Sequence, residues 1–480
     1  MGEGIVGITA AGWLCIVGYA LLPIAWWWHR RGLEPRALAV LMLCAGLIRL
    51  GPSLDPCLHE WDERYHALVA KHLLEHPLKP TLYDDPMLPH DVGSWAGGHV
   101  WLNKPPLSLW SIAVSLKCFG LSPLAVRLPS LLLSVVAVAL LYGLARTLAS
   151  RRVALWAALL FAIHGHLTEL ASGRTSNDHP DTFLLVFVLA ALFAAARMAR
   201  SGSLRWAVAC GVLSGLAFLS KSWPALVIVP VAALFLFGRA EVIKGRTLKC
   251  IGVLVVMALL VTLPWNIYAA TAFAQEATVA STAHWRHFTM DIEEHGRPWT
   301  YYWTQLPMIH GELTPIALIW FMLVPFRKAP REHAALLVWW LLPYLVFSCA
   351  ITKMPGYTAI AAPAICIIIG MAIEHWSSAS VLPKVLHVPA LICAAGLVLL
   401  PLRSSVDRTR PWTRIEVPYV VPTELMQASS CTISINCPHP IEMMFHTPVA
   451  AAYAGPLAPG EAERLSGLGY VILDRQGWNK

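Results

Sequence analysis

The sequence predicts an all-α polytopic membrane protein with about 12–13 transmembrane helices, and its composition is the first reason. Of 480 residues, 57% are hydrophobic and only 13% are charged, and the mean hydropathy is +0.59. A soluble domain usually carries about 25% charged residues. The 21 tryptophans fit the aromatic belts at membrane interfaces. For such a chain, the placement of the +8 net charge matters more than its total.

Apolar segments recur along the chain up to about residue 402. A hydrocarbon core of ~30 Å needs ~20 residues for one helix, so several of these segments are short spans. The segment 105–120 is also apolar, and it either dips into the membrane or lies on its surface. The first span is too long for a cleavable signal, and we expect it to be retained. The twelve predicted spans are 4–27, 37–53, 124–147, 153–172, 182–199, 205–220, 222–238, 247–265, 304–325, 334–351, 355–373 and 385–402.

The turns between alternate spans are basic. Cytoplasmic loops of membrane proteins carry an excess of Lys and Arg, so we expect these turns in the cytoplasm. They lie at 29–36, 146–152, 197–205, 238–246 and 327–332. The intervening loops then lie on the exported face, and every candidate reactive residue falls among them.

The longest polar interruption, residues 52–106, is the first predicted exported loop. Loops of this length are usually functional or disordered. Within it, Asp62 and Glu63 stand where a helix would begin, a place where the helix dipole favours acids. We interpret this part as a surface helix whose two acids point to a site; simple N-capping is the alternative. The amphipathic spacing is carried by Tyr65, Leu68, Val69, His72 and Leu73.

Further cations and carboxylates lie at the predicted exported face. Acids beside membrane-buried sequence are costly unless they are used, and a lysine offers a point charge to a phosphate. This set suits a substrate with a phosphate at the membrane surface and an apolar tail, although Lys104 could instead snorkel. The pair Asp84–Asp85, before Pro86, indicates a turn. The candidates are Lys104, Lys353, Arg174, Asp178, Asp181 and Lys221.

Two further groups are less specific. The loop 284–303 adds Arg286, His287 and Arg297 as possible substrate ligands, whereas an interfacial belt explains its aromatic residues. A second group in the outer half of a span either pairs internally or lines the cavity. Its members are His164, His166 and Glu169.

The tail after residue 402 changes character. It is less apolar and has short β-like runs at 415–421 and 470–473. We therefore predict two domains, a transmembrane catalytic domain at 1–402 and a small exported α/β domain at 403–480. In an oxidising compartment, Cys431 and Cys437 could form a disulfide. The sequence has no Cys-x-x-Cys spacing and no glycine-rich phosphate loop.

These segments together resemble the GT-C glycosyltransferases that use polyprenyl-phosphate sugars. The similarity is to the lipid A aminoarabinose transferase and the protein O-mannosyltransferase superfamily (glycosyltransferase families 39 and 83), over roughly residues 50–375. The matching elements are the run Asp62-Glu63-Arg64-Tyr65, the Lys104-Pro105 pair, an acid before the fifth span, the Lys221 junction, and Lys353-x-Pro355-x-Tyr357.

The resemblance implies roles for individual residues. Asp62 matches the catalytic carboxylate with Glu63 beside it, and Asp181, with Asp178 as its alternate, matches the second acid. Lys104 and Lys353 match the donor-phosphate contacts, to which we add Arg174 and Tyr357; Tyr65 and Lys221 are possible substrate contacts. The chain departs from the pattern in an extra amino-terminal span and in Asn103, where the aminoarabinose enzyme carries Glu. That change leaves the acceptor and a divalent metal ion open.

The resemblance implies an inverting glycosyltransferase of the bacterial inner membrane, with its active site facing the periplasm. The donor would be a polyprenyl-phosphate sugar, and the acceptor a lipid, glycan or protein. No organic cofactor and no nucleic acid are expected. The alternative is a lipid-linked sugar transporter or flippase, whose charges would lie near the bilayer midplane in paired halves. The sequence shows no such internal repeat.

Overall fold

The structure of the chain is a computed structural model that describes residues 9–83, 87–176, 178–236, 244–324, 329–378, 384–410 and 428–474. The predicted turn at Asp84–Asp85 and the predicted strand at 415–421 lie outside these residues. Most of the described chain is helical. Its α-helices are α1 Ala10–Ala20, α2 Leu22–Arg30, α3 Glu34–Ser53, α4 Asp62–His72, α5 Pro106–Phe119, α6 Pro123–Leu148, α7 Arg151–Ala162, α8 Gly165–Ala171, α9 His179–Ser201, α10 Leu204–Lys221, α11 Ile228–Leu236, α12 Lys244–Ala272, α13 Ala274–Thr289, α14 Tyr301–His310, α15 Thr314–Leu323, α16 Pro330–Ser348, α17 Ala362–Trp376, α18 His387–Arg408, α19 Pro440–His446 and α20 Glu461–Gly467.

The predicted apolar spans are helical in their described parts, so the expectation of a multi-span helical protein is confirmed. Among the described residues, eight helices are long and apolar enough to cross a membrane. Counting each of two bent helix pairs as one span makes ten. The two remaining predicted spans are the shorter apolar helix Trp223–Leu236 and α16. The chain is a multi-pass membrane protein.

The helices and the other elements form two compact units. The larger unit comprises Met1–Leu54, Ser130–Ile267 and Ala283–Pro411. The smaller unit comprises Asp55–Pro129, Tyr268–Thr282 and Trp412–Lys480. In the part of the chain that the structure describes, the larger unit also has three 3₁₀-helices: Trp223–Val227, Pro355–Ala361 and Lys384–Leu386.

Two spans of the larger unit are broken at histidines. Helices α7 and α8 meet at His164 with a bend of 54°, and α14 and α15 meet after His310 with a bend of 110°. A helix broken at membrane depth needs new partners for its freed carbonyls. Arg49, which is completely buried, donates to the carbonyls of Phe161 and Ala162 at the end of α7. His164 Nε2 lies 2.9 Å from His310 Nδ1, so the two breaks are joined.

The smaller unit combines the first loop with the C-terminal segment. The predicted helix at Asp62 is confirmed as α4, and its Tyr65, Leu68 and Val69 are buried in an apolar cluster that also includes residues of α19. Three short parallel strands form one sheet in the order β2-β1-β3. They are β1 Thr432–Ile435, β2 Ala451–Ala452 and β3 Val471–Asp474. The last strand confirms the run predicted at 470–473, whereas β1 was not predicted. The boundary at residue 402 and the exported position of the tail stay predictions.

Candidate active site

The first residue of α4 carries an accessible carboxylate that forms an ion pair. Asp62 Oδ2 lies 3.1 Å from Lys104 Nζ, and the two side chains are 13% and 20% exposed. Trp61, which precedes the helix, has a φ of 71°, a left-handed conformation that non-glycine residues rarely adopt. Such backbone conformations cost about 1–3 kcal/mol and persist where the surrounding structure enforces them. The turn before Asp62 is therefore held firmly.

Glu63, the second acid of the pair, is buried rather than accessible. The guanidinium of Arg127 in α6 donates to both of its oxygens, at 2.6 Å and 2.8 Å, and both side chains have no exposed surface. The backbone N–H of His59 donates a third hydrogen bond to the carboxylate. Arg127 also donates to the carbonyls of Asp55 and Cys57. This set of bonds ties the first turn of α4 to α6.

His59 lies between two carboxylates in the same cluster. Its Nε2 is 3.0 Å from Asp55 Oδ2 and its Nδ1 is 2.9 Å from Glu63 Oε2. Burial alone would lower the pKa of His59, but the charge of Glu63 and the hydrogen bonds that the imidazole donates to Asp55 and Glu63 outweigh it and raise the pKa. When His59 is protonated, its positive charge and that of Arg127 balance the negative charges of Asp55 and Glu63.

The larger unit contains a second acid–cation pair. Asp181, in the first turn of α9, accepts a hydrogen bond from Lys221 Nζ at the end of α10. The same ammonium lies 4.9 Å from the ring centroid of Tyr357, and the ring of His287 packs edge-on against that tyrosine. The residue after Lys221, Ser222, has a φ of 57°. Four predicted site residues are thus brought together, with a second left-handed backbone position beside them.

Lys353 is buried in the larger unit and fixed by backbone carbonyls. Its ammonium donates to the carbonyls of Arg297 and Ala350. An ammonium has three donors, so these two bonds leave a third N–H. The backbone around it is held by a short bridge in which Lys353 N donates to the His295 carbonyl and Thr352 N to that of His287. The cation is therefore preorganised, although it lies below the surface.

The other predicted site residues take varied positions. Arg174 donates to the carbonyls of Arg408 and Arg410. Asp178 caps α9 by accepting from His179 N, Tyr65 packs against Trp95, and Arg286 is exposed on α13.

The sequence left open whether His164, His166 and Glu169 pair with one another or line the cavity, and the structure answers this in part. The ring of His164 contacts His310, whereas His166 Nδ1 lies 3.7 Å from Glu169 Oε2. Glu169 also pairs with Arg408.

Within the described ranges, the structure contains neither a metal cluster nor the Cys431–Cys437 disulfide. Across the residues that the structure describes, no group of three or more His, Cys, Asp or Glu side chains could hold a metal ion. Cys431 is an exposed thiol, while Cys437 is a buried thiol with its Sγ 3.8 Å from Met443 Sδ.

An apolar cavity of about 540 Å³ opens among α10, α11 and α12 of the larger unit. Its lining surface is almost entirely apolar, and Phe218 lies on it less than one turn before Lys221. Only 6% of the most apolar stretch of α12 is buried inside the protein. One wall of the cavity is therefore a helix with little protein around it. A space of this kind fits a hydrocarbon chain.

Three residues of the site were missed by the sequence analysis. Arg127 had a usable signal, because an arginine inside an apolar span is expensive and is usually paired or functional. His59 and Trp61 gave none, since their roles depend on partners and on a backbone conformation that only the fold defines.

Comparisons with known proteins agree with this architecture. The family described as dolichyl-phosphate-mannose-protein mannosyltransferase matches residues 103–268. A curated relative, the undecaprenyl phosphate-alpha-4-amino-4-deoxy-L-arabinose arabinosyl transferase of Pseudomonas paraeruginosa, is 30% identical over 397 residues, which cover 78% of this chain and 67% of the relative. The chain belongs to this transferase family. Arabinosyl transferase 1 of Pseudomonas fluorescens is also 30% identical, and the match covers 67% of this chain but only 56% of that relative.

Solved structures show that this chain has the GT-C fold. ArnT from Cupriavidus metallidurans bound to undecaprenyl phosphate superposes with a TM-score of 0.60 at 16% identity, covering 92% of this chain and 90% of that one. The Archaeoglobus fulgidus oligosaccharyltransferase tethered to an acceptor peptide has a TM-score of 0.52 at 12% identity, with 88% and 64% covered. The predicted GT-C superfamily is confirmed.

Proposed function

We propose that the chain transfers a sugar from a polyprenyl-phosphate donor to a lipid, glycan or protein acceptor. The observation that carries this proposal is the Asp62–Lys104 pair, a partly exposed carboxylate beside a partly exposed cation. Its family relatives are named for a donor of undecaprenyl phosphate and 4-amino-4-deoxy-L-arabinose. That pentose carrier is therefore the first donor to test.

Asp62 would act as the general base. As the acceptor oxygen attacks the anomeric carbon, its proton passes to the Asp62 carboxylate, a contribution of typically ~10²–10⁴-fold in rate. The bond from the anomeric carbon to the phosphate oxygen breaks in the same displacement, so the configuration inverts. The lipid phosphate leaves with the bonding electron pair. Lys104 would stabilise the negative charge that develops on it.

Glu63 would position Asp62 rather than react, because both of its oxygens are taken by Arg127. In the larger unit, Asp181 would orient Lys221, and the fixed ammonium of Lys353 would offer its third N–H to phosphate. Arg174, Tyr357, His287 and the remaining predicted contacts keep their proposed substrate roles.

The apolar cavity supports a substrate with a long hydrocarbon tail. Two of the three helices around it, α10 and α12, are long and apolar enough to span a membrane, and Lys221 follows the lining residue Phe218 in α10. An isoprenoid chain in this cavity would therefore have a cation near one end.

We further propose that the protein lies in the bacterial inner membrane with its active site facing the periplasm. The support is the set of basic turns, which the positive-inside rule assigns to the cytoplasm. Asp62, Lys104 and Lys353 all lie in segments assigned to the opposite side by the same rule.

The proposal is tested by transfer in detergent, where no membrane has to be crossed. Purified protein is incubated with undecaprenyl phosphate-4-amino-4-deoxy-L-arabinose and a panel of lipid A, glycan and peptide acceptors, and products are identified by mass spectrometry. A glycosylated acceptor supports the transferase. A protein that yields no product but moves the lipid-linked sugar across proteoliposome membranes is a transporter, and the proposal is then wrong.

A further inference from the structure

The C-terminal segment touches the helix that begins with Asp62 through two charged side chains. Arg64 and Lys71 are seven residues apart on α4 and therefore lie on one face of the helix. Arg64 Nη1 is 3.3 Å from Glu442 Oε1 in the first turn of α19. Lys71 Nζ donates to the carbonyls of Met444 and Thr447, at 2.5 Å and 2.8 Å. The two helices therefore run side by side in the same direction.

These contacts complement the two ends of α19: its dipole and its last carbonyls, which have no hydrogen-bond donor within the helix. An acid in the first turn and a cation on the last carbonyls both complement a helix dipole. Lys71 supplies the carbonyl partners that a helix C-terminus lacks, in the way that a capping side chain does. Lys71 is half-buried, and burial lowers the pKa of its ammonium to about 8. Between the two charged contacts, Leu68 and Met444 are buried in one apolar cluster.

Two more contacts tie the first loop to the same segment. The rings of Tyr83 and Tyr453 stack with their centroids 5.5 Å apart. Arg464 of α20 donates to the carbonyl of Met87. Together with the Arg127–Glu63 pair, these contacts leave α4 held at its first turn by α6 and along its length by α19.

We propose that residues 428–474 position the catalytic helix, with Arg64, Lys71 and Glu442 as positioning residues for Asp62. This inference rests on the proposed transferase function. The C-terminal segment is then a part of the active-site machinery rather than an appendage. A loss of its contacts shifts α4, and small displacements of a catalytic group can cost ~10²-fold in rate.

The test compares Lys71→Met, which keeps the apolar stem, with Lys71→Arg, which keeps the charge and the donors. Lys117→Met, on the exposed side of α5, is the matched control. Turnover and donor KM are measured on the monodisperse fraction of each detergent-purified variant. We expect Lys71→Met to lose at least ~10-fold in kcat with a donor KM within about twofold of wild type, because positioning acts on the transition state. Lys71→Arg should recover most of the loss, and Lys117→Met should match wild type.

A variant that only destabilised the fold would reduce the yield of monodisperse protein but not the kcat of that fraction. If Lys71→Met does not give monodisperse protein, Glu442→Gln takes its place, since it keeps the size of the side chain. A kcat for Lys71→Met, or for its replacement, within about twofold of wild type overturns the proposal.

A second measurement separates this proposal from the transferase function. Hydrogen exchange of the backbone amides in α4 needs no substrate. We expect faster exchange over the first two turns of α4 in Lys71→Met and unchanged exchange in Lys117→Met. An inactive wild type would refute the transferase alone, whereas unchanged exchange in Lys71→Met would refute the positioning role alone.

Discussion

Arg127 donates two parallel hydrogen bonds to the carboxylate of Glu63, and neither side chain has any exposed surface. The acid directly before this pair, Asp62, is instead partly exposed and faces Lys104. Two adjacent acids on one helix turn therefore have different environments. One anchors the helix, and the other is the carboxylate that we propose as the general base.

Loss of either member of the buried pair should destabilise the fold strongly. Breaking such a pair typically costs about 3–5 kcal/mol, because a charge is left buried without its partner. We expect Arg127→Met and Glu63→Gln each to lower the unfolding temperature of the detergent-solubilised protein markedly. The double variant should lose less than the sum of the two. Additive losses in this double-mutant cycle would show that the two side chains do not interact.

Stability should depend on pH through His59. Its pKa is raised above the ordinary value of 6.5 in the folded state, so the folded protein holds this proton more tightly than the unfolded chain. The resulting stabilisation is complete below the unfolded pKa and is lost as the pH rises through the folded pKa. The groups that face the imidazole are Asp55, Glu63 and Arg127.

We therefore expect the unfolding temperature of His59→Gln to lie furthest below that of wild type in acid. The gap should narrow as the pH rises above 6.5. Melting curves at a series of pH values measure it directly. A gap that stays constant or widens with pH would contradict a raised pKa.

Lys353→Met keeps the apolar stem and removes the charge. If the fixed ammonium contacts the phosphate as the sugar leaves, the loss should be about 3–4 kcal/mol of transition-state stabilisation. This corresponds to a fall of ~10²–10³-fold in kcat, with a smaller change in donor affinity. Lys249→Met, an exposed lysine of α12, is the control. An equal loss in donor affinity and kcat/KM, with kcat unchanged, would assign Lys353 to ground-state binding instead.

The sequence predicts those parts of the site that depend on residues close together in the chain. The apolar spacing of Tyr65, Leu68 and Val69 predicts α4, and the acids at its start predict where it begins. The sequence does not predict that Glu63 is buried and paired while Asp62 stays partly exposed. This difference depends on Arg127, which comes from another helix and reaches the acid only once the chain has folded.

The same limit applies to the tail. A β-like run predicts β3, but the contacts of Lys71 with the end of α19 join residues that are far apart in the chain. The two left-handed backbone positions at Trp61 and Ser222 also have no sequence signal, because neither residue type favours that conformation.

Filling the apolar cavity should weaken the use of long-chain donors. Ala233 of α11 lines the cavity, whereas Val256 of α12 is exposed and lies outside the lining. We expect Ala233→Phe to raise the KM for an undecaprenyl donor while leaving a short-chain donor unaffected, because only the long tail needs the space. Val256→Phe should leave both KM values unchanged. Equal KM values for Ala233→Phe and wild type with the undecaprenyl donor would exclude the cavity as the tail site.

The most direct test of the account is the turnover of Asp62→Asn in the detergent transfer assay. Asparagine keeps the size of the side chain and removes the base, so kcat should fall by ~10²-fold or more while the protein stays folded. Asp91→Asn is the control, since Asp91 only closes an exposed turn in the same loop by accepting from Gly93 N. The account predicts a large loss for Asp62→Asn and none for Asp91→Asn. Near-normal product formation by Asp62→Asn would contradict it.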